Sequence, residues 1–461
     1  MSALGAKVRV VGVAVAAAVL VAAGPAPAAT PTCTNAAVTC FTGTAADGST
    51  FKAEVPPAWN GTLLLYSHGY VPPVVPNPAA DDAPGRAVAD QLLAEGFALA
   101  GSSYASTGWA VVEAFRDQID LLDRFRDRFG KPRRTIAWGD SMGGMITAGL
   151  IQRAPQRFDA ALPMCGILGG AVGLWNQNLD LEYALKTLLS ASPDPAVSGP
   201  ASQLQLVHIT NWPANVGLAT AAVTAAQTTA DGRARLALAA ALFPLPDWYD
   251  SGSPRPARTD YAGRQQQQLK ALQFQLAFIF GFRAEVEQRA GGNPSWNVGV
   301  NYTNLLRHSA ERDLVRAAYQ QSTLDLRHDL RLLERDQRVR AERGATGYLV
   351  RNVVYDGRIR VPVVTLHTTS DPLVVSPHER AYRDAVRRVG RRHLLEQLYV
   401  ERPGHCTFTD AERLAALDVL LDRLRHGRWP RDTGSAFTDY EPPPFLRPFD
   451  LAWPQWPPWR R

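Results

Sequence analysis

The stretch that most constrains this chain is a short apolar run that leads into a serine flanked by glycines, TIAWGDSMGGM from Thr135 to Met145. It predicts a β-strand that turns sharply at Ser141 and continues as a helix. Gly139 and Gly143 leave room for a close backbone approach that a side chain would obstruct. The five-residue pattern alone is common, but the flanking strand and helix favour an exposed hydroxyl. We therefore predict that Ser141 is a nucleophile.

A nucleophilic serine needs a base and an acid that orients this base, and two later segments supply candidates. The apolar run from Val361 to Leu366 leads into a polar turn that carries Asp371. A second run, from Leu394 to Val400, leads into a loop that carries His405. Proton transfer from the serine to His405, with Asp371 fixing the imidazole tautomer, unites these residue types. We predict Ser141, Asp371 and His405 as a catalytic triad.

Other residues compete for the roles of acid and base. Asp356 is the alternative acid, but the Asp-Gly pair that it opens is typical of a turn. His367 ends a strand close to Asp371 and is predicted to be a core residue or a support of the site. The other candidate histidines lie in polar or helical surroundings and are predicted to be solvated: His208, His308, His328, His378, His393 and His426.

The segment from Gly61 to Ser67 predicts a further strand, which ends in the pair His68-Gly69. Hydrolases that use a serine turn place one backbone donor for the oxyanion after such a strand and the second directly after the nucleophile. The predicted donors are the amides of Tyr70 and Met142, which stabilise the developing charge without reorganising. The alternative is that Gly69 only permits a tight turn.

In chain order, His68-Gly69, the serine turn, Asp371 and Gly404-His405 resemble the α/β-hydrolase superfamily over about residues 61–172 and 350–426. The resemblance implies a mostly parallel sheet flanked by helices. It also implies acyl transfer in two steps through a covalent acyl-enzyme.

The cysteine that follows His405 adds a narrower resemblance. Cys406 is similar to a cysteine of secreted tannase-type and feruloyl-esterase-type hydrolases, which bonds to a cysteine beside the nucleophile. In this chain Asp140 occupies that neighbouring position.

The four cysteines are predicted to form disulfides, as is usual in exported chains. Cys33 and Cys40 are close in sequence and are expected to pair, which leaves Cys165 with Cys406. Cys165 follows the strand after the nucleophile helix, so it should lie on the same edge as the His405 loop. Crossed pairings remain the alternative. No second pair of Cys or His residues matches a first with ligand spacing, so the sequence predicts no metal and no cofactor.

The N-terminus predicts export. Lys7 and Arg9 precede an apolar run from Val10 to Ala23, and small residues up to Ala28 provide a cleavage site. We therefore predict a signal peptide over residues 1–28 and a secreted protein. The run is shorter than the ~20 residues of a membrane span, and no other segment approaches that length, so no stable membrane insertion is expected after cleavage.

The charge balance argues against nucleic acid as a partner. The net charge of +6 falls to +4 when Lys7 and Arg9 leave with the signal peptide, and the remaining Arg, Asp and Glu residues are interleaved. Such a surface is typical of a solvated globular protein and lacks the basic patch that would bind the phosphates of a nucleic acid.

The order of the motifs predicts one catalytic domain with a large insertion. Residues 29–60 are predicted as an N-terminal extension, residues 61–174 and 349–427 as the α/β core, and residues 175–348 as a helical cap. A cap that faces a pocket with apolar side chains suits acyl or aromatic groups. The tail over residues 428–461 is rich in Pro and Trp and should wrap its own domain or bind a partner.

Together these features predict a secreted serine hydrolase that cleaves a carboxylic ester of a small or polymeric substrate. An exported peptidase on the same fold is the first alternative. It would need acidic residues for a substrate amino group, and Glu113, Asp117 and Glu182 are scattered. The second alternative, a non-catalytic binding protein, is disfavoured because all three triad residues are present. Tyr104, near the end of another predicted strand, is interpreted as a bystander.

Overall fold

The computed structural model describes residues 30–33 and 35–449. The predicted signal peptide lies outside the described residues. So do residues 450–461, which hold three of the tryptophans of the Pro/Trp-rich tail.

Eight strands form one sheet in the order β1-β2-β4-β3-β5-β6-β7-β8. Only β2 runs antiparallel to its neighbours, and all pairings from β4 to β8 are parallel. The strands are β1 (Thr39–Thr44), β2 (Thr50–Val55), β3 (Thr62–Ser67), β4 (Ala98–Ser102), β5 (Arg134–Asp140), β6 (Ala160–Met164), β7 (Val363–Ser370) and β8 (Leu395–Pro403). The carboxyl ends of the parallel strands share one edge of the sheet, which we call the catalytic edge.

The α-helices among the described residues are α1 (Arg86–Ala94), α2 (Val111–Phe129), α3 (Met142–Arg153), α4 (Ala171–Ser190), α5 (Pro195–Ser202), α6 (Trp212–Ala226), α7 (Ala230–Leu242), α8 (Tyr261–Ala277), α9 (Arg283–Ala290), α10 (Tyr302–His308), α11 (Arg312–Gln320), α12 (Leu326–Arg335), α13 (Arg343–Asn352), α14 (Pro377–Arg388) and α15 (Asp410–His426). A π-helical turn, Phe278–Phe282, joins α8 to α9 without interruption.

Alternating side chains of the sheet pack against helices on both faces. Leu63 and Leu65 belong to a core with α2, α3 and α14. Leu64 and Tyr66 point to the other face and pack with α1 and α15. Coverage of both faces is what a parallel sheet requires, since both of its sides are apolar. The predicted α/β-hydrolase fold is confirmed.

The segment predicted as an N-terminal extension contributes two strands to this sheet. Residues 39–55 form the hairpin β1-β2, which pairs through β2 with β4. All six side chains of β2 are buried. The hairpin therefore extends the sheet on the side of β4.

The helices α4 to α13 lie between β6 and β7, and we call them the helical block. Many of their buried side chains form a hydrophobic core of their own, which runs from Leu181 to Leu333 and takes in Val375 and Leu446 from outside the block. Others, such as Trp175 and Leu349, belong to the core of the sheet. Among the residues that the structure describes, none of the helices is both long and apolar enough to cross a bilayer.

The described part of the C-terminal tail packs on the chain itself. Arg447 donates to the carbonyl of Trp296 (2.8 Å) and pairs with the buried Asp180. Phe445 packs against His378, with ring centroids 4.7 Å apart. The prediction that His378 is solvated is therefore wrong, because it is completely buried against the tail and the loop that carries Gly169, and desolvation lowers its pKa to about 3.

Candidate active site

Ser141 occupies the sharp turn between β5 and α3. Its backbone has φ 60° and ψ −122°, a conformation that costs on the order of 1–3 kcal/mol for a residue with a side chain. The two glycines are needed because the end of β3 passes close by. A Cβ on Gly139 would lie 2.3 Å from the carbonyl oxygen of Ser67, and one on Gly143 would lie 1.9 Å from it.

The three residues predicted as a triad lie in one hydrogen-bonded row. The Ser141 Oγ is 2.8 Å from Nε2 of His405, and Nδ1 of His405 is 2.7 Å from Oδ2 of Asp371. Asp371 is buried, and its Oδ1 accepts bonds from the amides of Leu373 (2.8 Å) and Val374 (3.0 Å). Three contacts thus fix the carboxylate and, through it, the imidazole ring.

The competing residues lie elsewhere. Asp356 accepts a bond from the amide of Arg358 (2.8 Å) in the turn before β7 and does not reach His405. His367 is fully buried within β7, and its Nδ1 faces the carbonyl of Thr368. Five of the histidines predicted to be solvated are exposed: His208, His308, His328, His393 and His426.

The loop after β3 lies against Ser141, where the oxyanion donors were predicted. A Cβ on Gly69 would lie 3.4 Å from the Cβ of Ser141. Met142 is the first residue of α3, so its amide has no partner within the helix and points into the region where the helix dipole is positive. The roles of Tyr70 and Met142 as donors remain a prediction.

Tyr104, interpreted from sequence as a bystander, contacts this loop directly. Its hydroxyl donates to the carbonyl of His68 (3.2 Å), and its ring stacks on the His68 ring with centroids 3.9 Å apart. Tyr104 is buried and has φ 58°, a strained value for a residue with a side chain. It therefore holds the loop that precedes Tyr70.

A disulfide joins the loop that carries His405 to the end of β6, the strand that follows α3. Cys165 and Cys406 are bonded, with their Cα atoms 5.5 Å apart, and Cys33 and Cys40 form the other pair. Sγ of Cys406 lies 3.4 Å from Nε2 of His405. Cys165, His405 and Cys406 form the one group of potential metal ligands found in the described ranges, and the bond uses both sulfur atoms.

A second, ionic link runs parallel to the disulfide and was not predicted. Asp140, next to the nucleophile, lies 3.6 Å from the guanidinium of Arg413 and accepts a bond from the hydroxyl of Tyr66 (3.2 Å). Arg413 also donates to the carbonyls of Cys406 (3.3 Å) and Phe408 (2.6 Å). Burial raises the pKa of Asp140, and the positive charge of Arg413 opposes this shift.

No protein-family model matches the chain. It is 29% identical over 406 residues to an o-phthalyl amidase of Xanthobacter agilis, covering 83% of this chain and 87% of the amidase.

Similar solved structures include an esterase from Aspergillus oryzae, at a TM-score of 0.43 and 13% identity, covering 85% of this chain and 80% of the esterase. An acylaminoacyl peptidase of Pyrococcus horikoshii has a TM-score of 0.38 and 8% identity, and 86% of this chain is covered. The chain spans 42% of the length of that peptidase.

Proposed function

We propose that this protein is a serine hydrolase that cleaves a carboxylic ester through an acyl-enzyme. The row of hydrogen bonds from Asp371 through His405 to Ser141 is the observation that carries the proposal. A serine on a strained turn, a histidine aimed at its hydroxyl and a buried carboxylate behind that histidine are the parts that nucleophilic catalysis requires.

The reaction would proceed in two steps. His405 Nε2 takes the proton of Ser141 as Oγ attacks the ester carbonyl, and the carbonyl oxygen gains a negative charge near the amides of Tyr70 and Met142. The C–O bond to the alcohol then breaks, and His405 donates its proton to the leaving oxygen. Water attacks the acyl-enzyme by the same route in reverse, while Asp371 stabilises the imidazolium in each half.

Amide hydrolysis is the second candidate, and the similarity to an amidase over most of the chain favours it. A peptidase that recognises a free amino group is less well supported. Glu113 already pairs with Arg289 at 2.9 Å, and Glu182 pairs with Arg283 at 2.9 Å, so neither carboxylate is free to hold a substrate ammonium.

The protein would act outside the cytoplasm on a small or polymeric substrate. The predicted signal peptide and the two disulfides support this location, because disulfides persist in oxidising compartments. The low, interleaved net charge continues to disfavour nucleic acid as a substrate.

A labelling experiment combined with a substrate panel tests the proposal. A fluorophosphonate should label the mature protein at Ser141, and Ser141→Ala should lose both the label and turnover while its circular dichroism spectrum is unchanged. p-Nitrophenyl esters of graded chain length and aminoacyl p-nitroanilides should separate ester from amide preference. Labelling at another residue, or full turnover by Ser141→Ala, would contradict the proposed nucleophile.

A further inference from the structure

Five partly exposed aromatic rings form a continuous row that ends at the oxyanion loop, and we call it the aromatic stripe. Consecutive ring centroids lie 4.0, 4.5, 5.1 and 6.0 Å apart. In order from the loop outward, the rings are Tyr70, Phe282, Phe278, Phe274 and Tyr249. Each of the five residues is partly accessible to solvent.

The three phenylalanines follow one another at four-residue spacing on a helix that is interrupted by a π turn. In a regular α-helix, every fourth residue drifts by about 40° around the axis, so such a row would spiral away from a flat surface. The wider turn at Phe278–Phe282 offsets part of this drift. Phe282 therefore remains in line with Phe278 and reaches Tyr70.

The other apolar side chains of the same π turn are buried, unlike Phe278 and Phe282. Ile279 and Phe280 are completely buried in the core of the helical block. The three phenylalanines of the row instead keep part of their surface accessible to solvent. A contiguous row of partly accessible apolar rings is typical of a binding surface.

The stripe begins beside the loop that contacts Ser141. Tyr70 directly follows Gly69, and a Cβ placed on Gly69 would lie 3.4 Å from the Cβ of Ser141. The same helix is tied to the acid loop, because the side-chain amide of Gln275 donates to the carbonyl of Leu373 (3.4 Å). The helical segment that carries the three phenylalanines thus contacts both the loop predicted to bind the oxyanion, through Phe282 and Tyr70, and the loop that carries Asp371, through Gln275.

The Tyr70 hydroxyl gives a second indication of a ligand at the inner end. It is buried and has no hydrogen-bond partner among the described residues. Burial raises the pKa of Tyr70 well above the physiological range, so the hydroxyl stays protonated and remains a donor. An ester oxygen at this place would satisfy it, and an unsatisfied buried donor otherwise costs free energy.

We propose that the aromatic stripe binds an aromatic ring of the substrate that adjoins the scissile ester, with the inner rings Tyr70, Phe282 and Phe278 stacking on it. The inference rests on the proposed function and narrows its substrate class to esters that carry an aromatic ring next to the scissile bond. The ring belongs either to the acyl group or to the leaving alcohol, and the two cases share the same chemistry.

The test compares three esters in a pH-stat: ethyl benzoate, with an aromatic acyl group, phenyl acetate, with an aromatic leaving group, and ethyl acetate, with neither. Phe278→Leu and Phe282→Leu each remove a ring but keep apolar bulk. Phe129→Leu is the matched control, because Phe129 is also partly exposed and contacts other rings but lies at the end of α2, away from the catalytic edge.

For each variant, kcat/KM for an aromatic ester is divided by kcat/KM for ethyl acetate, and the ratio is compared with that of the parent protein. This comparison cancels the differing intrinsic reactivities of the esters. We expect the ratio to fall about 3- to 10-fold in both stripe variants for one of the two aromatic esters, as the loss of an aromatic pair predicts. The ratio should be unchanged in Phe129→Leu. The ester that responds identifies the side of the bond on which the ring lies.

Unchanged ratios for both aromatic esters, in a protein whose Ser141 still takes the fluorophosphonate label, would overturn the stripe while leaving the proposed hydrolase intact. Loss of labelling in the parent protein would instead count against the hydrolase itself. A measurement on the parent protein avoids any folding defect of the variants. Phenylboronic acid should inhibit more strongly than butylboronic acid, and the reverse order would overturn the inference.

Discussion

Replacing Asp371 by asparagine tests the geometry of the site most sharply, because Asp371 uses both of its oxygen atoms. Oδ1 accepts bonds from the amides of Leu373 and Val374, and Oδ2 faces Nδ1 of His405 at 2.7 Å. The carbonyl oxygen of the asparagine must stay with the two amides, since the opposite orientation would set donors against donors. Its NH₂ group then donates to Nδ1 of His405.

This orientation determines the size of the effect. An imidazole that accepts at Nδ1 carries its proton on Nε2, the atom that lies 2.8 Å from the Ser141 hydroxyl. His405 can then no longer take the serine proton. Loss of an orienting acid in this way lowers kcat by about 10⁴, which corresponds to about 5.4 kcal/mol in the activation free energy. Since all hydrogen bonds of the side chain are kept, the thermal unfolding temperature should hardly change.

The assay is steady-state turnover of p-nitrophenyl acetate by Asp371→Asn, with Asp356→Asn as the matched control. Asp356 bonds to the amide of Arg358 and contacts no triad residue, so its variant should keep the parent kcat. A loss smaller than about tenfold in Asp371→Asn would refute the tautomer argument. A larger loss of kcat in Asp356→Asn than in Asp371→Asn would show that Asp356, and not Asp371, is the orienting acid.

Two further predictions concern the disulfide and a buried acid. Cys406→Ser should lower kcat more than Cys33→Ser at temperatures where both variants stay folded, because the Cys165–Cys406 bond tethers the residue next to His405. A displacement of a catalytic group by ~1 Å can lower the rate ~10²-fold. Equal kcat values in the two variants, or a crossed disulfide pairing in mass mapping of the unreduced protein, would contradict this prediction. Burial raises the pKa of Glu311 from 4.5 to about 7, so the folded state keeps this proton when the unfolded state has lost it, and the free energy of unfolding should fall as the pH rises through that window. Glu311→Gln, which keeps an oxygen for Arg264, should flatten this decline in urea titrations at about pH 5 and about pH 7, and an unaltered slope would show that other groups cause it.

The parts of the site that the sequence predicted are those that local patterns encode. The serine turn joins an apolar run to a helix start, and Asp371 and His405 each follow a run of strand-forming residues. Each of the three predicted residues follows a predicted strand. The structure brings them to one edge of the sheet because parallel strands place their carboxyl ends together. Their catalytic roles remain a prediction for the labelling experiment.

Features that depend on distant partners were missed. Nothing near Arg413 in the sequence indicates that it reaches Asp140, and the role of Tyr104 depends on a carbonyl in the loop after β3. His378 lies in a helix with many charged residues, which suggested exposure, but the tail covers it. The π turn between α8 and α9 was also missed, since it changes the register of a periodic pattern without breaking it.

The position of the helical block also determines when the site becomes complete as the chain is synthesised. Ser141 precedes His405 by 264 residues, and the whole helical block lies between them. A growing chain can form the turn at Ser141 and the strand pairings among β3, β4, β5 and β6 long before β7 and β8 have been made. During that interval, it carries the proposed nucleophile with neither the proposed base nor the proposed acid. By the proposed mechanism, the ability to form an acyl-enzyme is acquired near the end of folding, when the last two strands dock, and chains truncated before β8 lack the residue that would activate the serine.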